Sequence, residues 1–179
     1  KSEILGNNNP DIEKVVFRIK HNTLLNQFYF DSLCRMVLNR GFKDWGCEGR
    51  MRDCAHILET CKELNVVDVL QLRRREKDFI IRIQEQYIDS VRNIINKLNR
   101  SIQHNPKITR ARKREILYLT NCYLSNFNEI AKLELIMGIK NMKGISYIIQ
   151  QQTDTIDRDF ETLHKHTQKL KVDFYLEVF

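Results

Sequence analysis

Apolar residues return at three- and four-residue steps along most of the chain, the spacing of one helix face. Ile12, Val15, Val16, Ile19, Tyr29, Phe30, Leu33, Met36 and Val37 mark a first helix, which Asn9-Pro10 opens as cap and first-turn proline. Gly41, Gly46 and Gly49 punctuate a connection, and a second helix follows from about Arg50 to Glu63. Asn65 and Asp68 mark a break or kink before a long helix through about Gln103. His104-Asn105-Pro106 is the clearest turn in the chain. Ile116, Leu119, Tyr123, Phe127, Ile130, Leu133 and Met137 trace the next helix. Gly138 and Gly144 bracket another connection or an interrupted helix, and the last helix runs from about Ile145 to Leu170 and Phe174. Residues 1–9 read as a leader and 10–179 as one helical domain.

Helices of about 30 residues extend ~45 Å at 1.5 Å per residue. Joined by short turns, they pack antiparallel, so the pattern predicts an all-α, elongated four-helix-type bundle. Composition narrows this further. Glycine (6) and proline (2) are scarce in 179 residues, too few for the tight turns of a sheet-based fold. No apolar run of 18 residues and no signal peptide is present, and the chain begins at Lys1, as a segment of a longer protein would. Cys47, Cys54 and Cys61 recur every seven residues near His56. That step separates them by ~10 Å along a helix, too far for one tetrahedral zinc ion, so they read as small core residues. The five histidines are scattered, and the sequence has no two paired Glu-x-x-His motifs, phosphate loop, H-E-x-x-H or G-x-S-x-G. The expectation is a non-enzymatic protein with no metal and no cofactor.

One segment breaks the apolar pattern. Val69, Leu72, Phe79, Ile80, Ile83, Tyr87, Ile94 and Leu98 form a stripe, and Glu76 falls within it. A carboxylate there is costly unless paired. Arg73 lies one turn before it, and Arg74–Asp78 and Asp78–Arg82 are spaced as further ion pairs. Two readings stand: a buried ionic cluster that fixes helix register, or a site where Arg73 and Lys77 also face a small anion.

The run Leu72-Arg73-Arg74-Arg75-Glu76-Lys77-Asp78-Phe79, followed by Arg82 and Tyr87, resembles the LRRxEKDF signature of bacterial helical sensor domains. These are the helical bimodular and four-helix ligand-binding regions of chemoreceptors and sensor histidine kinases. Tyr123, Phe127, Ile130, Gly138-Ile139 and Gly144-Ile145 are similar to a second stretch of that family, and Gly46 through Arg52 with His56 and Glu59 is a fainter copy. The resemblance implies a bundle of one module or two, lying outside the cytoplasm between two membrane helices. It also implies a ligand, either a small organic acid or a periplasmic partner protein, whose occupancy is relayed by helix displacement. Both chain ends then lie at one end of the bundle, provided residues 50–103 act as one pass.

Polar residues on helical seams add candidates for lining a ligand: Asn22 and Asn26 on the first helix, Gln152 on the last, and Tyr123, alongside Arg73, Glu76 and Lys77. Thr23 neighbours the first pair. Buried amides need partners, and register specification is the competing reading. Phe17, Leu24 and Phe28 form a second apolar stripe on the first helix, set either for another helix of the chain or for a homodimer.

The net charge of +7 is concentrated. Lys97, Arg100, Lys107, Arg110, Arg112, Lys113 and Arg114 face one acid, Glu115, in residues 97–115. A solvated helix tip is one explanation, and contact with anionic lipid headgroups in a membrane-tethered parent is another. The alternative function is a cytosolic interaction domain holding an acidic partner or nucleic acid through this hairpin. Against nucleic acid, the segment has no stacking aromatic and no helix-turn-helix pattern, so the partner expectation excludes it.

Overall fold

The computed structural model describes residues 10–178, with backbone only for Phe174, Glu177 and Val178. The expected leader, residues 1–9, lies outside the described residues. Six helices and no strand are present among them: α1 (Pro10–Arg40), α2 (Gly46–Thr60), α3 (Val66–Arg82), α4 (Gln86–His104), α5 (Arg110–Met137) and α6 (Gly144–Val178). No described helix is long and apolar enough to cross a membrane.

The chain divides into two compact units. Unit 1 takes α1 up to Leu33 and α6 from Ile145; unit 2 is Cys34–Gly144. Unit 2 buries a continuous core of Met51, Leu58, Leu72, Phe79, Val91, Ile95, Leu98, Ile116, Tyr123, Phe127 and Ile130 with their neighbours. Phe79 and Phe127 meet edge to face, 5.5 Å between centroids. α2 packs most extensively on α5 and α3 on α4.

The helices start where local chemistry stops the chain. Asn65 caps α3, its side chain accepting from the Val67 (2.9 Å) and Asp68 amides, and Thr109 caps α5 by accepting from Arg112 N. Gly41 sits at φ +79° between α1 and α2, where an added Cβ would lie 2.1 Å from the Trp45 carbonyl. Gly138 ends α5 in the left-handed region, its N–H donating to Glu134 O at 3.0 Å.

The expected helix from about Asp68 through Gln103 is divided in two. The Ile83 backbone turns left-handed at φ 50°, its N–H bonds Phe79 O at 2.7 Å, and α4 begins at Gln86. No glycine or proline announces this turn, and Phe79, Ile83 and Tyr87 keep unbroken four-residue spacing across it. A left-handed β-branched residue costs about 1–2 kcal/mol, and burial of the Ile83 side chain contributes about 1.5–3 kcal/mol. Folding α4 back on α3 also lets Leu72 and Val91 share one core. Residues 50–103 are therefore three helices, not one pass, and the two reversals together preserve an even number of helices.

Unit 1 is a pair. Arg18 grips Asp159 with Nε (2.7 Å to Oδ2) and Nη2, and Asn26 Nδ2 donates to Thr153 Oγ1 at 2.9 Å. Numbers rising along α1 meet numbers falling along α6, so the pair is antiparallel. The start of α1 and the end of α6 thus lie toward the same end of unit 1. Among its described residues, Val15 and Asp159 are the buried ones. The seam expected along α1 is otherwise half-buried at Ile12, Ile19, Tyr29 and Leu33, and exposed at Val16 and Phe30.

Candidate functional site

Glu76 has no exposed side-chain surface. α3 carries it into the centre of unit 2 because it sits between Leu72 and Phe79, both buried, on the same face. Its Oε2 accepts from Arg73 Nη1, one turn back, and from the Tyr123 hydroxyl on α5 at 2.6 Å. Oε1 lies 3.1 Å from Lys77 Nζ, off the hydrogen-bonding direction. Arg73 turns its Nε to Glu59 Oε1 on α2, 3.0 Å away. Three helices are thereby tied to one carboxylate.

The charges balance: Arg73 and Lys77 against Glu59 and Glu76. Burial works against the Arg73 charge, but Glu76, Tyr123 and Glu59 outweigh it and raise its pKa above the ordinary guanidinium value. Burial, reinforced by the Glu76 charge, pushes the Tyr123 phenol well above its usual range. Tyr123 stays protonated and acts as a donor. Chemically the knot is a lock, with the buried Glu76 paired to a half-buried Arg73; removing one partner of a buried pair costs about 3–5 kcal/mol. Beside Glu59, a cleft lined by Leu58, Cys61, Val69 and Leu70 encloses about 50 Å³, small against the ~300 Å³ of ligand pockets.

The neighbouring ion pairs differ from the expected set. Asp78 takes Arg75 (3.2 Å) and, at 4.0 Å, Arg82. Arg74 is exposed, with no ion pair among the described residues, because it lies on the outer side of α3. Arg82 Nη1 also donates to Tyr87 OH at 2.6 Å and covers its ring.

The remaining expected ligand-lining residues belong to unit 1. Asn26 is satisfied by Thr153. Asn22 is half-buried, and Gln152 Oε1 is buried without a hydrogen-bond partner among the described residues. Tyr123, by contrast, belongs to unit 2 and to the Glu76 knot. Phe17, Leu24 and Phe28 are 72%, 59% and 60% exposed.

A second ionic node lies where the chain enters and leaves unit 2. Arg40, in the last turn of α1, bonds Glu48 Oε2 of α2 (2.7 Å), Glu134 Oε1 of α5 and the Gly41 carbonyl (2.9 Å). Sequence reading missed it, although Glu134 carries the same signal as Glu76: an acid set among Ile130, Leu133 and Met137. Lys140, just past α5, reaches the Ile80 carbonyl one turn beyond Glu76.

In the hairpin 97–115, Lys97 pairs with Asp68 (2.7 Å), Arg112 with Glu63 (2.9 Å) and Glu115 (3.0 Å), and Lys113 donates to Gln103 O (2.8 Å). Arg100, Lys107, Arg110 and Arg114 are exposed, with no ion pair among the described residues. Cys47, Cys54 and Cys61 are buried thiols.

The described residues form an all-helical domain of six helices, whose larger unit is centred on a buried, charge-balanced knot. No protein-family model, curated protein or solved structure matches the chain.

Proposed function

We propose that the chain is the extracytoplasmic ligand-sensing domain of a bacterial transmembrane receptor, either a sensor histidine kinase or a chemoreceptor, and not an enzyme. In this reading α2–α5 form a four-helix-type module and α1 with α6 a second, giving a bimodular sensor. α1 carries the reading furthest. It is one uninterrupted helix from Pro10 to Arg40, bonded to α6 through Arg18 and Asn26 and clamped at its last turn by Glu48 and Glu134. A shift of α2 or α5 can then move α1 along its axis, the small displacement that helical switches use. The antiparallel α1–α6 pair suits two tethers leaving toward one membrane.

The ligand in this proposal is a small organic anion, or a periplasmic partner protein presenting one. Its carboxylate replaces Glu59 on Arg73 Nε, with Lys77 as a second cation. Glu59 is the replaceable member of the knot because its side chain is partly in water. The cleft beside it has to open for the ligand to enter, which couples binding to the α2–α3 spacing. Two copies pair through Phe17, Leu24 and Phe28, a row of aromatics that a monomer seldom leaves in water.

A thermal-shift screen with organic acids, amino acids and inorganic anions tests the ligand. A binder at 100 times its Kd adds about 2.7 kcal/mol of stability. The shift is expected to grow in Glu59→Gln, which removes the competing carboxylate, and to vanish in Arg73→Gln. A shift indifferent to both substitutions removes the knot as the binding site. Hydrophobic spans flanking residues 1–179 in the parent sequence support the receptor, and their absence supports the second reading. That reading, a cytosolic domain binding an acidic partner, draws on the exposed Arg100, Lys107, Arg110 and Arg114.

A further inference from the structure

α2 and α5 run antiparallel, and two long-range links set their register. Arg112 grips Glu63 at one end (2.9 and 3.2 Å), and Arg50 Nε donates to Asn126 Oδ1 at 3.0 Å toward the other. One helical turn along α2 from Arg50 is Cys54, and one turn back along α5 from Asn126 is Cys122. This register sets the two thiols opposite each other. The Asn126 amide lies 3.6 Å from Cys122 Sγ. Ala55, next to Cys54, is small and buried, and α2 packs more extensively on α5 than on any other helix. The flanking cysteines meet arginines instead: Cys47 Sγ accepts from Arg50 Nη2 at 3.1 Å, and Cys61 Sγ faces Arg112 Nη2 at 3.5 Å. α5 supplies a cysteine opposite only the middle one of the three.

We propose that Cys54 and Cys122 are a reversible modification site, a disulfide between α2 and α5 made by small thiol–disulfide oxidants such as oxidised glutathione. Cys122 is half-buried and Cys54 buried, so the oxidant reaches Cys122 first. Burial, and then the neighbouring Cys122, raise the Cys54 thiol well above its ordinary pKa and keep it protonated. In the first step the Cys122 thiolate attacks one sulfur of the oxidant. A protein–glutathione S–S bond forms, and one glutathione leaves as thiolate. In the second, Cys54 gives its proton to solvent base and attacks the Cys122 sulfur, expelling the second glutathione. Two electrons pass from the two cysteines to the oxidant, which ends as two thiols. The bond would staple α2 to α5 one residue before Tyr123, so the oxidant controls the spacing of two helices that hold the Glu76 knot. This does not depend on the receptor reading.

The test exposes folded protein to oxidised glutathione at mildly alkaline pH, blocks the remaining thiols, and maps peptides without reductant. The expected result is the Cys54 peptide joined to the Cys122 peptide in most molecules, lighter by two hydrogens than the sum of its parts. The thermal midpoint rises by several degrees, and dithiothreitol reverses both changes. Cys54→Ser should leave Cys122 as a glutathione mixed disulfide, and Cys122→Ser should leave Cys54 a free thiol, each variant being checked for helicity by far-ultraviolet circular dichroism. In helical wild-type protein, Cys122 left unmodified or stopping at the mixed disulfide would overturn the proposal. So would cross-links confined to other cysteines.

Discussion

Unit 1 and unit 2 use the same residue types at similar helical spacing, yet they solve the problem of stability differently. Unit 2 closes a core around Phe79, Phe127 and Tyr123 and can bury a carboxylate inside it. Unit 1 is a single helix pair, and two helices leave at least one apolar stripe of each without cover. It is held by two polar links, an exposed Arg18 on a buried Asp159 and the half-buried Asn26–Thr153, while Phe17, Leu24 and Phe28 are largely exposed. An apolar core makes the ionic groups inside it strong and unforgiving, whereas screened links at the surface are weak and adjustable.

Substitutions in the knot should therefore have the largest effects. Arg73→Gln leaves Glu76 buried and half-paired, and should cost about 3–5 kcal/mol in urea denaturation. Tyr123→Phe removes one donor from Oε2 and should cost about 1–3 kcal/mol in the same assay. The combined Arg73→Met, Glu76→Leu and Tyr123→Phe protein is the sharper experiment. Replacing a whole buried ionic group by apolar residues is often neutral or stabilising, so this protein should unfold near the wild-type midpoint. Such a result would mean that the knot specifies register or serves a ligand and does not supply net stability.

Unit 1 should respond more mildly. The Arg18 hydrogen bonds hold the Asp159 carboxyl below its usual range. A depressed folded value means that the contribution is fully present above the unfolded Asp pKa of about 3.9. It is lost as pH falls through the lower folded value. Carboxyl nuclear magnetic resonance should find Asp159 titrating below ordinary aspartates and returning toward them in Arg18→Gln. Smallest of all, Phe28→Glu should change monomer stability by no more than about 0.5 kcal/mol, as exposed sites do. Its effect should appear in sedimentation equilibrium, as loss of self-association. A strict monomer in both proteins would leave the exposed stripe without a role in the isolated domain.

Local spacing decides which parts of this fold could be read in advance. Glu76 stands out because every residue one turn to either side of it on the stripe is apolar, and Arg73 lies within reach on the same helix. Glu134 could have been found by the same test. The choice of Arg75 over Arg74 for Asp78 could not, because both spacings reach it and only the outward placement of Arg74 excludes one. Neither the Glu59 bond to Arg73 nor the Tyr123 bond to Glu76 has any local signature, since each joins two different helices across a reversal of the chain.

What the sequence determined is the helical class, the break at Asn65, the glycine turns and the carboxylate that needs a partner. All of these are settled within a few residues, by backbone geometry or by the cost of an unpaired charge. The tertiary structure decided the reversal at Ile83, the Arg40 node, the meeting of Cys54 with Cys122, and which apolar stripe is buried. Periodicity shows that a face is apolar but not what will cover it. That depends on surface brought from elsewhere in the chain, and its burial can outweigh local strain such as the left-handed turn at Ile83.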